Sequence, residues 1–222
     1  MKSSLFALLF ILITALMPGN KKKLIIFFGD SITEAAVNPG GYIIKLDSIL
    51  TVKGKHELYD LMGSGISGNK VYDLYLRMEE DVLRKEPVVV VVYIGVNDVW
   101  HKRTSGTGTD ADKFENIYQA VINKLKAKNI RVVLCTPAAI GEKTDFSNAQ
   151  DGDLNEYSKI IRNLAQKNDL PVVDLRKSFL EYGLKHNPEN KFSGILTTDG
   201  VHLNAAGNRL VAEEMWKIIQ AF

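Results

Sequence analysis

The feature that most constrains the fold is an unbroken apolar run, Val88 to Ile94, near the middle of the chain. It consists of valines followed by a tyrosine and an isoleucine, which are residue types favoured in strands. Because polar and apolar residues do not alternate along this run, both faces of such a strand are apolar and must be buried. This is typical of a parallel sheet between two layers of helices. Polar residues follow at once in Gly95-Val96-Asn97-Asp98.

A second run of this kind lies near the amino terminus, where Leu24 to Phe28 leads into Gly29-Asp30-Ser31. A Gly/Pro loop and apolar residues at helical spacing then predict a helix, so Ser31 lies where a buried strand turns towards a helix. In α/β folds, ligands bind at this end of the sheet. Taken alone, Gly-Asp-Ser could equally be an ordinary turn, and we expect Asp30 to hold that turn rather than to react.

Strands and helices alternate along the rest of the chain. Further strands are predicted at His56–Met62, Ile130–Cys135 and Pro171–Leu175. Helices are predicted by apolar spacing between Val71 and Val82, Phe114 and Leu125, Leu154 and Leu164, and Val211 and Ile219, with Asn204 as the last N-cap. Polar loops are expected at 101–110, 138–152 and 184–200. The alternation predicts one domain, residues 21–222, with a parallel sheet and helices on both faces.

Size and composition limit the class of protein. The chain has 222 residues, of which 45% are hydrophobic and 24% charged, and its net charge is +2. These values suit one globular domain with a sizeable core, and the near balance of charge argues against a nucleic-acid partner. The one cysteine, Cys135, cannot form an internal disulfide and lies in a predicted strand, so we expect a buried structural thiol.

The amino-terminal segment bears on location. Lys2 precedes Leu5 to Met17, a mostly apolar stretch of a length typical of a signal-peptide core and too short to span a bilayer comfortably. Lys21–Lys23 follow shortly after this stretch, and no clean small-x-small cleavage site is present. We expect residues 1–20 to be a signal peptide, with an uncleaved membrane tether as the alternative. Both predict a periplasmic or secreted protein that touches a membrane only through this segment.

Four polar clusters fall at the carboxyl ends of predicted strands or in the last loop. They contain Ser31, Gly68, Asn97, and Asp199 with His202. Taken singly, each has a structural alternative: Asn97 could satisfy loop backbone, and Asp199 with His202 could be surface residues or a metal pair. A metal site needs a third protein ligand, and no His, Asp or Glu of suitable spacing supplies one. The other histidines are expected to be ordinary surface or core residues.

Together and in this order, the clusters resemble the SGNH hydrolases, also called the GDSL esterase and lipase family. The matching blocks are Gly29-Asp30-Ser31-Ile32, Ser67-Gly68-Asn69, Gly95-Val96-Asn97-Asp98 and Asp199-Gly200-Val201-His202. The resemblance covers nearly the whole chain from residue 24 onward. It departs from the family pattern in two places, because Ile32 replaces the usual leucine and Gly63 stands where asparagine is frequent.

The resemblance implies a role for each block. Ser31 would be the nucleophile and His202 the general base, because a serine hydroxyl attacks only when a neutral imidazole takes its proton. Asp199 would orient that imidazole by accepting its other N–H. The donors of the oxyanion hole would be the backbone N–H groups of Ser31 and Gly68 and the side-chain amide of Asn97.

The family further implies a flavodoxin-like three-layer α/β/α sandwich with a five-stranded parallel sheet, no metal and no organic cofactor. The expected function is hydrolysis of carboxylic esters through an acyl-enzyme on Ser31, with small or medium acyl groups such as O-acetyl esters of carbohydrates. Lysophospholipase or thioesterase activity is the alternative within the family. A catalytically inactive surface binding module and a phosphate binder are alternatives of other classes. Trp100 is expected either to line the substrate pocket or to pack in the core, and the oligomeric state is not predicted.

Overall fold

The computed structural model describes residues 22–222 as five parallel strands covered by helices. The strands are β1 (Lys23–Gly29), β2 (Tyr59–Gly65), β3 (Val89–Tyr93), β4 (Arg131–Cys135) and β5 (Val172–Val173). Their order in the sheet, β2-β1-β3-β4-β5, is that of flavodoxin-like folds. The predicted fold class is therefore confirmed. The signal peptide or tether predicted for residues 1–20 lies outside the described residues.

Helices connect the strands on both faces of the sheet. Those of the described chain are α1 (Ser31–Ala35), α2 (Tyr42–Val52), α3 (Val71–Asp81), α4 (Val96–Thr104), α5 (Ala111–Ala127), α6 (Asp151–Asn168), α7 (Leu175–His186) and α8 (Ala205–Ile219). Within residues 22–222, every helix is too short or too polar to cross a lipid bilayer. Cys135 is buried and unpaired, as expected, at the end of β4.

The neighbouring strands β1 and β3 form the centre of the core. They pair in parallel with Phe28 opposite Val92 and Gly29 opposite Tyr93, and every residue of β3 is buried. Because they are in register, both strands end at the same level. The chain leaves β1 towards β2 on one side and returns to β3 on the other. The reversal of strand order between β1 and β3 opens a crevice, where ligands bind in open α/β sheets.

The first helix lies directly against the end of β2, with no space between them. A Cβ atom placed on Gly65 would lie 2.0 Å from the backbone nitrogen of Glu34 and 2.6 Å from the carbonyl oxygen of Asp30. Only glycine at this position lets the turn that contains Ser31 approach the loop that follows β2. Gly65, one of the glycines after the second predicted strand, therefore permits close packing at the carboxyl end of the sheet.

Two helices, α4 and α7, were not predicted, and the bounds of the second strand are wrong. The segment predicted as a polar loop at 101–110 is helical as far as Thr104, because Val96 and Val99 of α4 are buried one turn apart. The chain after β5 forms α7 rather than a loop, since Leu175 and Phe179 bury the same helical face. The second strand runs from Tyr59 to Gly65, three residues later than predicted, and follows a short 3₁₀ turn at His56–Leu58.

Candidate active site

Ser31 is presented at the carboxyl end of β1 by a tight turn. It is the first residue of α1, so its backbone N–H has no acceptor within its own helix. Asp30 is the N-cap, and its Oδ1 accepts a 3.0 Å hydrogen bond from the backbone N–H of Ile32. Asp30 thus holds the turn, as expected from the sequence, while the Ser31 side chain remains partly exposed.

Ser31 Oγ begins a continuous chain of hydrogen bonds to His202 and Asp199. The distance from Ser31 Oγ to His202 Nε2 is 3.0 Å, and that from His202 Nδ1 to Asp199 Oδ2 is 2.7 Å. The His202 and Asp199 side chains are 38% and 48% exposed, so this series of hydrogen bonds lies at the surface of the crevice. A proton on Nδ1 would be donated to the carboxylate, which leaves Nε2 free to accept from Ser31.

Asp199 is fixed by the loop in which it lies. Its Oδ1 accepts from the backbone N–H groups of Val201 at 2.9 Å and His202 at 2.7 Å, while Oδ2 faces the imidazole. Partial burial acts to raise the pKa of Asp199, but the hydrogen bonds from His202 and from the backbone outweigh it, and the pKa is lowered from its ordinary value. The carboxylate is therefore ionised wherever a histidine is neutral.

The segment before Asp199 is held by Glu142, a residue that the sequence analysis did not single out. Its carboxylate accepts from the backbone N–H groups of Ile195 at 2.9 Å, Leu196 at 2.5 Å and Thr197 at 2.8 Å. The residue is buried, so these bonds replace the water it has lost. No pattern in the sequence relates Glu142 to this loop, because the partners are more than fifty residues apart.

Gly68 lies in the loop after β2 with a positive φ of 77°, a conformation that glycine adopts without strain. The backbone N–H of Gly68 finds no acceptor within residues 22–222. Glu34 of α1 anchors the loop by accepting from the backbone N–H and the hydroxyl of Ser67. His101, expected to be an ordinary residue, borders this loop: its Cε1 lies 3.9 Å from where a Cβ on Gly68 would be.

Asn97 lies in the first turn of α4, directly after β3, and is only 2% exposed. Gly95, with a φ of 123°, turns the chain from the strand into this helix. The Asn97 side-chain amide donates a 3.1 Å hydrogen bond to the carbonyl oxygen of Asn69, next to Gly68. Its second N–H has no acceptor among the described residues. The bond thus connects the predicted third block to the second and fixes the plane of the amide.

Trp100 fits both alternatives that the sequence left open. Its side chain is partly buried and packs against the core. Its ring also meets the imidazole of His202 edge-on, with ring centroids 6.1 Å apart. An indole in this position forms one side of the Ser31–His202 crevice.

Two buried carboxylates lie behind these groups. Burial raises the pKa of Asp30 to about 7, and the nearby Asp98 adds to the rise. Burial likewise raises the pKa of Asp98 to about 6, although Asp98 accepts from the backbone N–H of Val71 at the start of α3. Over residues 22–222, acidic, histidine and cysteine side chains nowhere gather in threes that could hold a metal ion.

Residues 27–210, more than half of the chain, match the model of the GDSL-like lipase/acylhydrolase family. The chain belongs to the GDSL-like lipase/acylhydrolase family. The resemblance seen in the sequence is thereby confirmed, and this GDSL hydrolase is a carboxylic ester hydrolase.

Several relatives of the GDSL hydrolase are similar over most of their length. The crystal structure of the acetyl xylan esterase AlAXEase has 64% sequence identity and a TM-score of 0.87, and the match covers 88% of this chain and 99% of that one. An acetylxylan esterase of Geobacillus stearothermophilus is 28% identical over 87% of this chain and 92% of that protein. An uncharacterized lipoprotein of Bacillus subtilis, YqeF, is 26% identical over 96% of each chain.

The raised pKa of Asp30 predicts how stability depends on pH. The folded protein holds this proton up to about pH 7, whereas the unfolded chain loses it near the ordinary value of 3.8, so the fold is destabilised as the pH rises between the two values. Asp30→Asn keeps the acceptor oxygen for Ile32 and cannot ionise. Relative to the original protein, its free energy of unfolding should increase between pH 4 and 7, by on the order of 4 kcal/mol, and then level off.

Urea unfolding of both proteins at several pH values between 4 and 8 measures this difference. Asp112→Asn, which removes one exposed carboxylate at the surface of α5, is the matched control. A difference between Asp30→Asn and the original protein that stays constant across the range would show that Asp30 is ionised in the folded protein throughout.

Proposed function

We propose that this GDSL hydrolase cleaves its ester through a covalent acyl-enzyme on Ser31. The hydrogen-bond chain from Ser31 through His202 to Asp199 is the observation that carries the proposal. The Ser31 hydroxyl attacks the ester carbonyl carbon while His202 Nε2 takes its proton, and Asp199 stabilises the imidazolium that forms. Collapse of the tetrahedral intermediate breaks the bond to the alkoxy group, which leaves as an alcohol with the proton from His202.

The charge on the carbonyl oxygen requires donors that are in place before the reaction. We assign this role to the backbone N–H groups of Ser31 and Gly68 and to the second N–H of the Asn97 amide. Each lacks an acceptor among residues 22–222, and the Asn97 amide is already fixed by its bond to Asn69. Donors that need no reorganisation stabilise the transition state more than water does.

Deacylation repeats the same steps with water as the nucleophile. His202 takes a proton from water, the resulting hydroxide adds to the acyl carbon, and Ser31 leaves with the proton returned by His202. The products are the carboxylic acid and the free enzyme. In both halves of the cycle His202 Nε2 carries the proton, first from Ser31 to the leaving alcohol and then from water back to Ser31.

The substrate class that we propose is an O-acetyl ester of a carbohydrate. Two relatives support it, since AlAXEase at 64% identity and the Geobacillus protein at 28% are acetylxylan esterases. The exposure of the Ser31–His202 crevice is suited to an acetyl group carried on a larger glycan, because the sugar can remain in solvent. Trp100 beside His202 offers an apolar surface to the acyl group or a sugar ring.

The first prediction from this proposal concerns substrate and nucleophile together. The protein should release acetate from acetylated xylo-oligosaccharides and should cleave p-nitrophenyl acetate faster than long-chain p-nitrophenyl esters. Ser31→Ala should lower turnover by up to about 10⁶-fold, because it removes the hydroxyl that forms the acyl-enzyme. A fluorophosphonate should label Ser31, as located by mass spectrometry of the digested protein.

Ser48→Ala is the matched control, since Ser48 is an exposed serine of α2, and it should leave activity unchanged. Label on another serine, or an active Ser31→Ala protein, would refute the mechanism. Preference for lysophospholipid or for long acyl chains would refute the carbohydrate substrate and leave the mechanism in place.

A second prediction concerns Asn97. Asn97→Ala should lower kcat by about 10²–10³-fold, the cost typical of removing one oxyanion donor. KM should change much less, because the negative charge appears only in the transition state. Steady-state kinetics on p-nitrophenyl acetate measure both constants, with circular dichroism to confirm folding.

Asn123→Ala, on the exposed side of α5, removes the same side chain at a site distant from Ser31 and should be silent. If Asn97→Ala retained more than about a third of the original kcat, Asn97 would be a structural residue of α4. The oxyanion hole would then consist of backbone groups alone.

We further propose that the protein is exported, with residues 1–20 as a signal peptide or membrane tether and residues 21–222 as the catalytic domain. The apolar stretch Leu5–Met17 supports export, and the similar Bacillus subtilis protein YqeF is a lipoprotein. Fractionation of cells that express a carboxyl-terminally tagged chain tests the proposal. The tag should be found in the periplasm, the medium or the membrane fraction, and a full-length product confined to the cytosol would refute export.

A further inference from the structure

One guanidinium group, that of Arg77 in α3, connects the two loops that contain the proposed backbone donors. Its Nη2 donates to the carbonyl oxygens of Gly29 at 2.7 Å and Ser64 at 3.0 Å. Its Nη1 donates to the hydroxyl of Ser64 at 3.0 Å, and its Nε donates to Oδ1 of Asn69 at 2.7 Å. The side chain is 15% exposed, so these bonds are largely shielded from water.

The acceptors of Arg77 lie on both sides of the proposed oxyanion hole. Gly29 is two residues before Ser31, so its carbonyl oxygen marks where the nucleophile turn begins. Ser64 and Asn69 flank the turn that contains Gly68. Because one rigid, planar group binds all three, the separation between the Ser31 N–H and the Gly68 N–H is set by the geometry of the guanidinium.

Arg77 also reaches Asn97 through one further hydrogen bond. Asn69 accepts from Arg77 with its side chain and from the Asn97 amide with its carbonyl oxygen. A displacement of Asn69 would therefore move the Asn97 amide as well. All three proposed donors depend on this one side chain, although Arg77 itself lies outside the reacting groups.

The surroundings of Arg77 hold it in this position. Its guanidinium carbon lies 4.5 Å from the centre of the Phe28 ring, and Asp81 pairs with Nη1 at 2.5 Å from the outer side. The Phe28 ring and the Asp81 carboxylate thus restrict the guanidinium group on two sides. The backbone carbonyl oxygens accept from its Nη2. A lysine ammonium could not reproduce this pattern, because all its N–H groups are on one nitrogen and it has no planar array of donors.

We propose that Arg77 is a positioning residue of the oxyanion hole, which sets the spacing between the nucleophile turn and the Gly68 loop. This inference rests on the proposed function, since it assumes that the Ser31, Gly68 and Asn97 donors bind the oxyanion. Arg77 lies outside the four family blocks identified in the sequence. Within the described part of the chain, none of its hydrogen bonds reaches the side chain of Ser31, His202 or Asp199.

Arg77→Lys tests the proposal, because it keeps the positive charge and removes the planar guanidinium group. We expect kcat on p-nitrophenyl acetate to fall about 10- to 100-fold, because a donor displaced by a fraction of an ångström loses much of its effect on the transition state. KM should change less than about threefold, since the ground-state ester makes little use of these donors. Kinetics are measured well below the melting temperature of the variant.

Arg84→Lys is the matched control. Arg84 pairs with Glu80 on the exposed side of the same region, and its replacement should leave kcat and KM unchanged. A double-mutant cycle separates positioning from a general loss of stability. In an Asn97→Ala background, Arg77→Lys should cost at least about threefold less in kcat than it does alone, because one of the donors that it positions is already absent.

Asn69→Ala keeps the test decisive if Arg77→Lys does not fold. It removes the Nε bond alone and leaves the bonds to Gly29 and Ser64, so we expect a smaller loss of kcat, about 3- to 10-fold.

A folded Arg77→Lys protein with unchanged kcat, a loss that appears only in KM, or strictly additive effects with Asn97→Ala would overturn the proposal. If Arg77→Lys does not fold, an unchanged kcat for Asn69→Ala would overturn it. An original protein that hydrolyses no ester would instead refute the proposed function, before Arg77 is tested.

Discussion

The structure depends on the pairing of β1 with β3, two neighbouring strands buried on both faces. Their register places Gly29 opposite Tyr93, so the turn before Ser31 and the turn before Asn97 begin side by side. Removing two apolar strands from water stabilises the fold through a large buried area, and it also fixes the level at which both turns begin. A shift of one residue in this register would move every core side chain of a strand to the other face. The stability of the core and the geometry of the site therefore have the same origin.

Charged side chains whose partners are backbone groups then hold the loops around this centre. Glu142 accepts from consecutive backbone N–H groups before Asp199, and Arg77 donates to backbone carbonyls on both sides of the crevice. A buried charge is costly unless it is fully hydrogen-bonded, and a single charge that binds several backbone groups holds them in one arrangement. The nucleophile turn, the Gly68 loop and the Asp199–His202 loop are each fixed in this way or by a capping carboxylate such as Asp30.

The site also shows how one residue type serves two purposes in different surroundings. Asp199 is partly exposed and receives three hydrogen bonds, which keep its pKa low and its charge available to His202. Asp30 is fully buried with one backbone donor to its side chain, and its pKa rises to about 7. The ionised carboxylate lies where an imidazolium would form, and the carboxyl group with the raised pKa lies behind the nucleophile, where it shapes a turn.

The sequence by itself determined the class of fold and the family. Apolar runs predicted the strands of the sheet, and the polar blocks after them and in the last loop pointed to Ser31, Gly68, Asn97, Asp199 and His202, which the structure brings to one crevice. These signals are local, because a buried strand and the turn after it are visible within about ten residues. Helices α4 and α7 were both missed, since short helices with few apolar positions give weak periodicity. The roles of Glu142 and Arg77 were decided only by the tertiary structure, because Glu142 binds the backbone of Ile195, 53 residues away along the chain, and Arg77 binds that of Gly29, 48 residues away. A hydrogen bond between a charged side chain and a distant backbone group leaves no pattern in the sequence, because every residue offers the same carbonyl and, proline excepted, the same N–H.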